Sequence, residues 1–189
     1  IKGMRIGLNG AEAGYYAALD PPYACRNGPM VDLSDLLLIK GMQLALYAGA
    51  EDLPGLVHTL TVFGAKKGGG VRPAVEGRIN INTAPEAVLA ALLPEEQRDL
   101  APEIAAYREA RNEAGFEHEL SGPNWYRDVP GGSELTIAPQ LIVTASDIFR
   151  IAARARSDET QVTATAVVQR EKEGRTGRWR CHILSWRME

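Results

Sequence analysis

The feature that most constrains this chain is a change of hydrophobic period near residue 141. Beyond it, apolar residues recur at every second position, the period of a strand. "DIFRIAARARS" puts Phe149, Ile151, Ala153 and Ala155 on one face and Arg150, Arg154 and Arg156 on the other. "QVTATAVVQR" repeats the pattern with Val162, Ala164, Ala166 and Val168, and "RWRCHILSW" follows the turn "EKEGRTG". Three such segments joined by short turns predict an antiparallel meander with one face in water.

Before residue 141 the pattern is helical. An Ala-rich piece in "AEAGYYAALDPPYACRNGPM" gives way to a Pro/Gly loop. In "VDLSDLLLIKGM", Asp32 is placed to cap a helix from about Leu33. That helix would offer Leu36, Leu37 and Ile39 to a core, and Gly41 would end it. A further helical piece covers Gln43 to Gly49, and the alternating "HTLTVFG" at 58–64 reads as a short strand. "AKKGGGVRP" reads as a mobile loop. Helices in the middle and a sheet at the end make the chain α+β.

"GRININTAPEAVLAALLP", residues 77–94, is the densest local signal. Arg78 to Asn82 reads as a strand entering a corner held by Asn80 and Asn82. Thr83 and Glu86 have the spacing of a capping box, with Pro85 in the first turn of a helix running to about Leu93. A second helix, from Pro102, carries Ile104, Ala105, Tyr107 and Arg108 toward the first or its rim, closed by Phe116 and Leu120.

Charge is unevenly distributed. Residues 31–135 hold nine Lys/Arg against sixteen Asp/Glu, a balance of −7, whereas residues 136–189 balance at +3. An acidic segment is the wrong sign for phosphate contact. The longest apolar run falls far short of the ~20 residues that cross a bilayer. The abrupt opening "IKGMRIGLNG" has no leader pattern and reads as the trimmed start of a longer chain. Cys25 and Cys181 leave two alternatives open, a pair of buried thiols or one long-range disulfide.

Catalytic chemistry leaves no trace. His58, His118 and His182 stand far apart and outside any metal-ligand spacing. "KKGGGVRP" lacks the G-K-[ST] ending of a phosphate loop. His118 in "FEHEL" has a glutamate on either side, which could hold a metal, but a solvated helix end explains the pattern better. Asp20, Asp128 and Asp158 lie in loops with no EF-hand spacing, so no metal residue is assigned. The chain does not read as an enzyme.

Two family resemblances meet in the 77–94 stretch. "ININTAPEAVLAAL" and "IAAYREARNEAGF" resemble the DNA-binding helix-hairpin-helix family. That family grips phosphate through a Gly-rich hairpin, but here the connection is "LLPEEQRDLAPE", with four acids and no glycine. The second resemblance spans nearly the whole chain. "AEAGYYAALDPPYACRNGPMVDLSDLLLIKGM", "HTLTVFG", "GRININTAPEAVLAALLP", "IFRIAARARSDETQVTATAVVQR" and "ILSW", in this order, resemble the K-type minor pseudopilins of the bacterial type II secretion system.

That resemblance implies a pilin-like antiparallel sheet domain interrupted by a helical insertion of SAM or helix-hairpin-helix type. Residues 1–29 would begin the pilin-like domain, 30–139 form the insertion, and 140–189 return to the sheet. It implies a periplasmic protein of a Gram-negative bacterium, held in the inner membrane by an amino-terminal helix that this sequence lacks. Its partners would be the I-type and J-type minor pseudopilins and secreted substrate proteins, with no nucleic acid, and its place the tip of the pseudopilus. Calcium is a ligand of some members. Arg150, Arg154 and Arg156 are the candidate partner-binding residues.

Overall fold

A computed structural model describes residues 10–51, 53–66, 74–75 and 77–188 of the chain. The chain forms two compact units, Ile1–Val62 and Phe63–Glu189. Most of the glycine-rich loop expected at 65–73 lies outside the described residues.

The first unit is made of short pieces. Helix α1 (Ala13–Ala17) is followed by a 3-10 helix, Leu33–Leu38, then by α2 (Leu44–Ala48). Strands β1 (Gly49–Ala50) and β2 (Leu53–Pro54) form a minimal antiparallel bridge that leads into α3 (Leu56–Thr59). The Asp32 carboxylate accepts from the Ser34 N–H at 2.8 Å, so the expected cap is present. The helix it starts is 3-10 rather than α, however, and only Leu36 is buried; Leu37 and Ile39 are exposed.

Among the described residues of this unit the packing centres on tyrosines. Tyr16 is buried, with its ring 5.2 Å from that of Tyr15 and 5.1 Å from that of Tyr23. The Lys40 N–H donates to the Tyr16 hydroxyl at 3.3 Å, and the Tyr23 hydroxyl donates to the Leu38 carbonyl at 2.5 Å. Polar tips thus anchor large apolar rings, as buried tyrosine requires. Gly55 lies against α2 so closely that a Cβ there would stand 2.3 Å from the Ala48 carbonyl carbon.

The strand expected at 58–64 does not form. His58 and Thr59 complete α3, and the Leu60 N–H donates to the Leu56 carbonyl at 2.9 Å. Alternation alone makes no strand without a neighbour, and among the described residues none pairs with this one.

In the second unit, β3 (Ala65–Lys66) bridges β4 (Ala74–Val75), and β5 (Ile79–Asn80) pairs in parallel with β8 (Ile142–Val143). Between β5 and β8 come α4 (Glu86–Leu92), a 3-10 helix at Glu95–Leu100, and α5 (Ala101–Glu109). The hairpin of β6 (Arg111–Asn112) and β7 (Gly115–Phe116) follows, then 3-10 turns at Trp125–Arg127 and Pro139–Leu141. The unit's buried cluster runs from Ile81 to Ile142 and includes Leu89, Ile104, Trp125, Tyr126 and Leu135. The β5–β8 pairing therefore closes the base of a helical segment that has its own core. Gly132 is packed tightly within it, where a Cβ would meet the Tyr126 carbonyl oxygen at 2.5 Å.

The chain ends in β9 (Ile148–Ser157), β10 (Thr160–Lys172) and β11 (Trp179–Met188), an antiparallel sheet in the order β11-β10-β9. Asp158, at φ 51°, and Glu159 make the two-residue turn between β9 and β10. The expected meander is present, and α+β with antiparallel sheets describes the fold. The expectation of a single wet face is overturned. Ile151 is 53% exposed and Ile183 69%, and no residue of the three strands is buried. The helical segment's core is drawn from other residues, so the sheet's apolar face is left uncovered among the described residues.

Candidate partner-binding surfaces

The strand-to-helix corner at 79–86 is held by asparagine side chains. The Asn80 carbonyl oxygen of the side chain accepts from the Asn82 N–H at 3.0 Å, and its amide donates to Ser146 Oγ at 2.7 Å. The Asn82 amide donates to the carbonyls of Leu120 and Thr144 at 3.0 and 3.1 Å. The Trp125 indole N–H in turn donates to Asn82 Oδ1 at 2.7 Å. One side chain therefore ties four parts of the helical segment together.

Thr83 and Glu86 do not form the expected capping box. The N–H groups of Thr83 and Ala84 both donate to the Asn80 carbonyl, at 3.1 and 2.9 Å, so Thr83 is spent in a turn before the helix. Pro85 is the N-cap instead, and no side chain caps α4. Proline presets φ there, and its own carbonyl accepts from Val88 and Leu89.

Arg108 has a larger part than the rim position expected from sequence. It is 8% exposed, and its Nη1 donates to the carbonyls of Ile81 at 3.0 Å and Ala84 at 2.7 Å. Its other terminal nitrogen lies 3.4 Å from the exposed Glu109 carboxylate. The forked guanidinium thus locks α5 onto the corner before α4. An open hollow of about 650 Å³ beside it is lined by Asn82, Arg111, Phe116 and His118 among others.

Phe116, expected to help close the helical segment, is exposed under the Arg111 guanidinium at 4.3 Å, while Leu120 does pack on the core. His118 stacks on Tyr107 with ring centroids 3.6 Å apart. Two hydrogen bonds from Ser121, the side-chain one the larger influence, hold the Glu119 carboxyl below its ordinary range. Among the described residues, no group of three or more His, Cys, Asp or Glu side chains could hold a metal ion.

Register assigns each sheet face. Phe149, Ile151, Ala153 and Ala155 pair with Val168, Ala166, Ala164 and Val162, and β11 adds Ile183, Trp186 and Met188. This face is apolar from edge to edge and lies open. Arg170 ends it, its guanidinium 5.2 Å from the Phe149 ring and 4.5 Å from that of Trp179, with a buried Nε that has no hydrogen-bond partner. Sequence reading missed this residue, because alternation shows the face but not the aromatic slot.

The opposite face carries Arg150, Arg154 and Arg156, all exposed, across from Val167, Thr163 and Gln161. Arg156 Nε donates to the Asp158 carbonyl at 3.3 Å. Cys25, in the first unit, and Cys181, in the second, are free thiols, the first half-buried and the second exposed. The Cys25 Sγ donates to Asn27 Oδ1 at 3.3 Å.

Where a DNA-gripping hairpin would stand, the turn Glu95–Leu100 presents Glu95, Glu96 and Asp99. No helix among the described residues is long and apolar enough to cross a membrane. Residues 4–53 match a family model described as type II secretion system (T2SS), protein K. No curated protein and no solved structure matches the chain. The match lies within the first unit, where the ordered motifs of the resemblance begin, and over those residues the chain is similar to protein K of the type II secretion system.

Proposed function

We propose that this chain is a minor pseudopilin that caps the tip of the periplasmic pseudopilus and takes part in protein export across the outer membrane. The observation that carries the reading is the apolar face of the β9–β11 sheet, uncovered among the described residues. A sheet face of this kind is stable in water only when another element covers it. A pilin-like domain, whose amino-terminal helix packs on its sheet and anchors in the inner membrane, supplies that cover. The role needs shape and contact and calls for no catalysis.

The helical segment gives the tip position its physical reason. Residues 30–139 would be an insertion into the pilin-like head, and the core from Ile81 to Ile142 gives much of it a rigid body of its own. Such bulk obstructs a further subunit from stacking above, so the chain is compatible with the end of a filament and not with its shaft. The I-type and J-type minor pseudopilins bind below, and Arg150, Arg154 and Arg156 lie in that contact. Charge complementarity there sets partner choice and on-rate more than raw affinity.

The test is to mix the chain with the soluble heads of both subunits at low and high salt and to measure assembly by sedimentation. A ternary complex, weakened by salt, is expected. Failure to bind either head at low salt would refute the reading.

A further inference from the structure

We propose that the free edge of β9 takes up an extended segment of alternating acidic and apolar residues from a neighbouring secretion-system subunit, as a fourth strand of the sheet. The inference rests on the reading that this chain docks with other subunits, and it names how one of them is held.

Among the described residues β9 is an edge strand, hydrogen-bonded to β10 alone. Its ten residues pair with β10 without a break. The opposite edge, β11, carries a register shift where Leu184 is the extra residue, between the partners of Val167 and Val168. Bulges of this kind twist an edge away from further pairing. β9 has no such bulge and no proline.

The direction of the free hydrogen-bonding groups follows from one bond. The Arg170 N–H donates to the Asp147 carbonyl at 2.7 Å, and the register puts these two residues opposite each other. Hydrogen-bonded pairs alternate with non-bonded ones in an antiparallel ladder. The N–H and C=O groups of Phe149, Ile151, Ala153 and Ala155 therefore face β10. Those of Ile148, Arg150, Ala152, Arg154 and Arg156 face outward, along the open edge.

The same residues set the chemistry of the occupant. Arg150 and Arg154 have no ion-pair partner among the described residues, and β10 offers no carboxylate on that face from Gln161 to Gln169. A strand laid along β9 would bring its own side chains about 5 Å from these arginines on one face and from Phe149 and Ile151 on the other. Acidic residues alternating with apolar ones satisfy both faces. A second copy of this chain does not, because antiparallel pairing of two β9 edges sets arginine against arginine, for example Arg150 against Arg154.

Amide hydrogen exchange on the full chain reads the edge directly. Two probes are used, the heads of the I-type and J-type subunits and a peptide of alternating glutamate and valine as long as β9. Binding should slow exchange at Arg150, Ala152, Arg154 and Arg156 and leave the β10-facing amides unchanged. Ala152→Pro removes an outward N–H without breaking the β10 ladder, so it should weaken peptide binding about tenfold or more and leave unfolding unchanged. Arg150→Glu with Arg154→Glu should do the same, and a lysine–valine peptide should give no protection.

A subunit complex that forms with the outward amides still exchanging freely would overturn the edge while leaving the docking reading intact. Peptide protection without any subunit complex would break the docking reading instead. Protection that rises with the chain's own concentration would assign the edge to a second copy and overturn the proposal.

Discussion

Replacing Arg108 by Met should destabilise the helical segment more than any surface change of equal size. Met keeps the apolar stem and its packing and removes only the guanidinium. Two buried carbonyls, those of Ile81 and Ala84, then lose the charged donor that reaches them at 3.0 and 2.7 Å. Hydrogen bonds to a charged group are worth about 1.5–3 kcal/mol each, and an orphaned buried acceptor costs about as much as the bond it lost. Relief of the buried charge offsets part of this, which leaves a net loss of roughly 3–5 kcal/mol. Domain stabilities are about 5–15 kcal/mol, so this is a large share. Amide exchange at Leu89 and Ile104, in α4 and α5, is the assay, because it reads this segment and no other. A speed-up of about two to three orders of magnitude is expected, tenfold for each 1.4 kcal/mol. Arg108→Lys, which keeps the charge but loses the fork, should fall between the two. A loss under about 1 kcal/mol for the Met variant would refute the carbonyl-lock argument.

Asn82→Ala should cost about 2–4 kcal/mol, since it removes two donors and the Trp125 acceptor at once, and should shift the tryptophan near-ultraviolet circular dichroism. Thr83→Ala should change the urea midpoint by less than the equivalent of about 0.5 kcal/mol, because that side chain caps no helix; a loss near 1 kcal/mol would restore the capping box. Gly132→Ala should destabilise by about 1–3 kcal/mol, because its Cβ would have to displace backbone oxygens of Tyr126 and Val129. Duplex DNA should not bind at physiological salt in a fluorescence titration, given the −7 balance over residues 31–135; salt-dependent micromolar binding would contradict this.

The parts of the fold readable from sequence are those with a strong local pattern. The three terminal strands were legible because alternation over ten residues admits few other structures. The α4 and α5 helices were legible from their proline starts and Ala/Leu-rich runs rather than from a period, since α5 turns the charged Arg108 inward beside Ala101 and Ile104. The first unit was not, because its order depends on tyrosine hydroxyls reaching Leu38 and Lys40 across 15 and 24 residues, contacts that no local pattern encodes. The capping box at Thr83 had the right spacing but lost to a turn made by the backbone of Asn80. Arg108 was visible as a residue but not as a lock, since its partners are carbonyls, which every residue has. The arginine face was legible, whereas the exposure of the apolar face opposite was not, because alternation says which residues share a face and not what covers it.

The tip position is the central claim, and the location of the protein on assembled pseudopili tests it most directly. With the chain tagged in its secretion system and pseudopili isolated and labelled with gold against the tag, electron microscopy should place label at one end of each filament. Label spaced along the shaft would show that residues 30–139 do not obstruct stacking, and the capping account would fall.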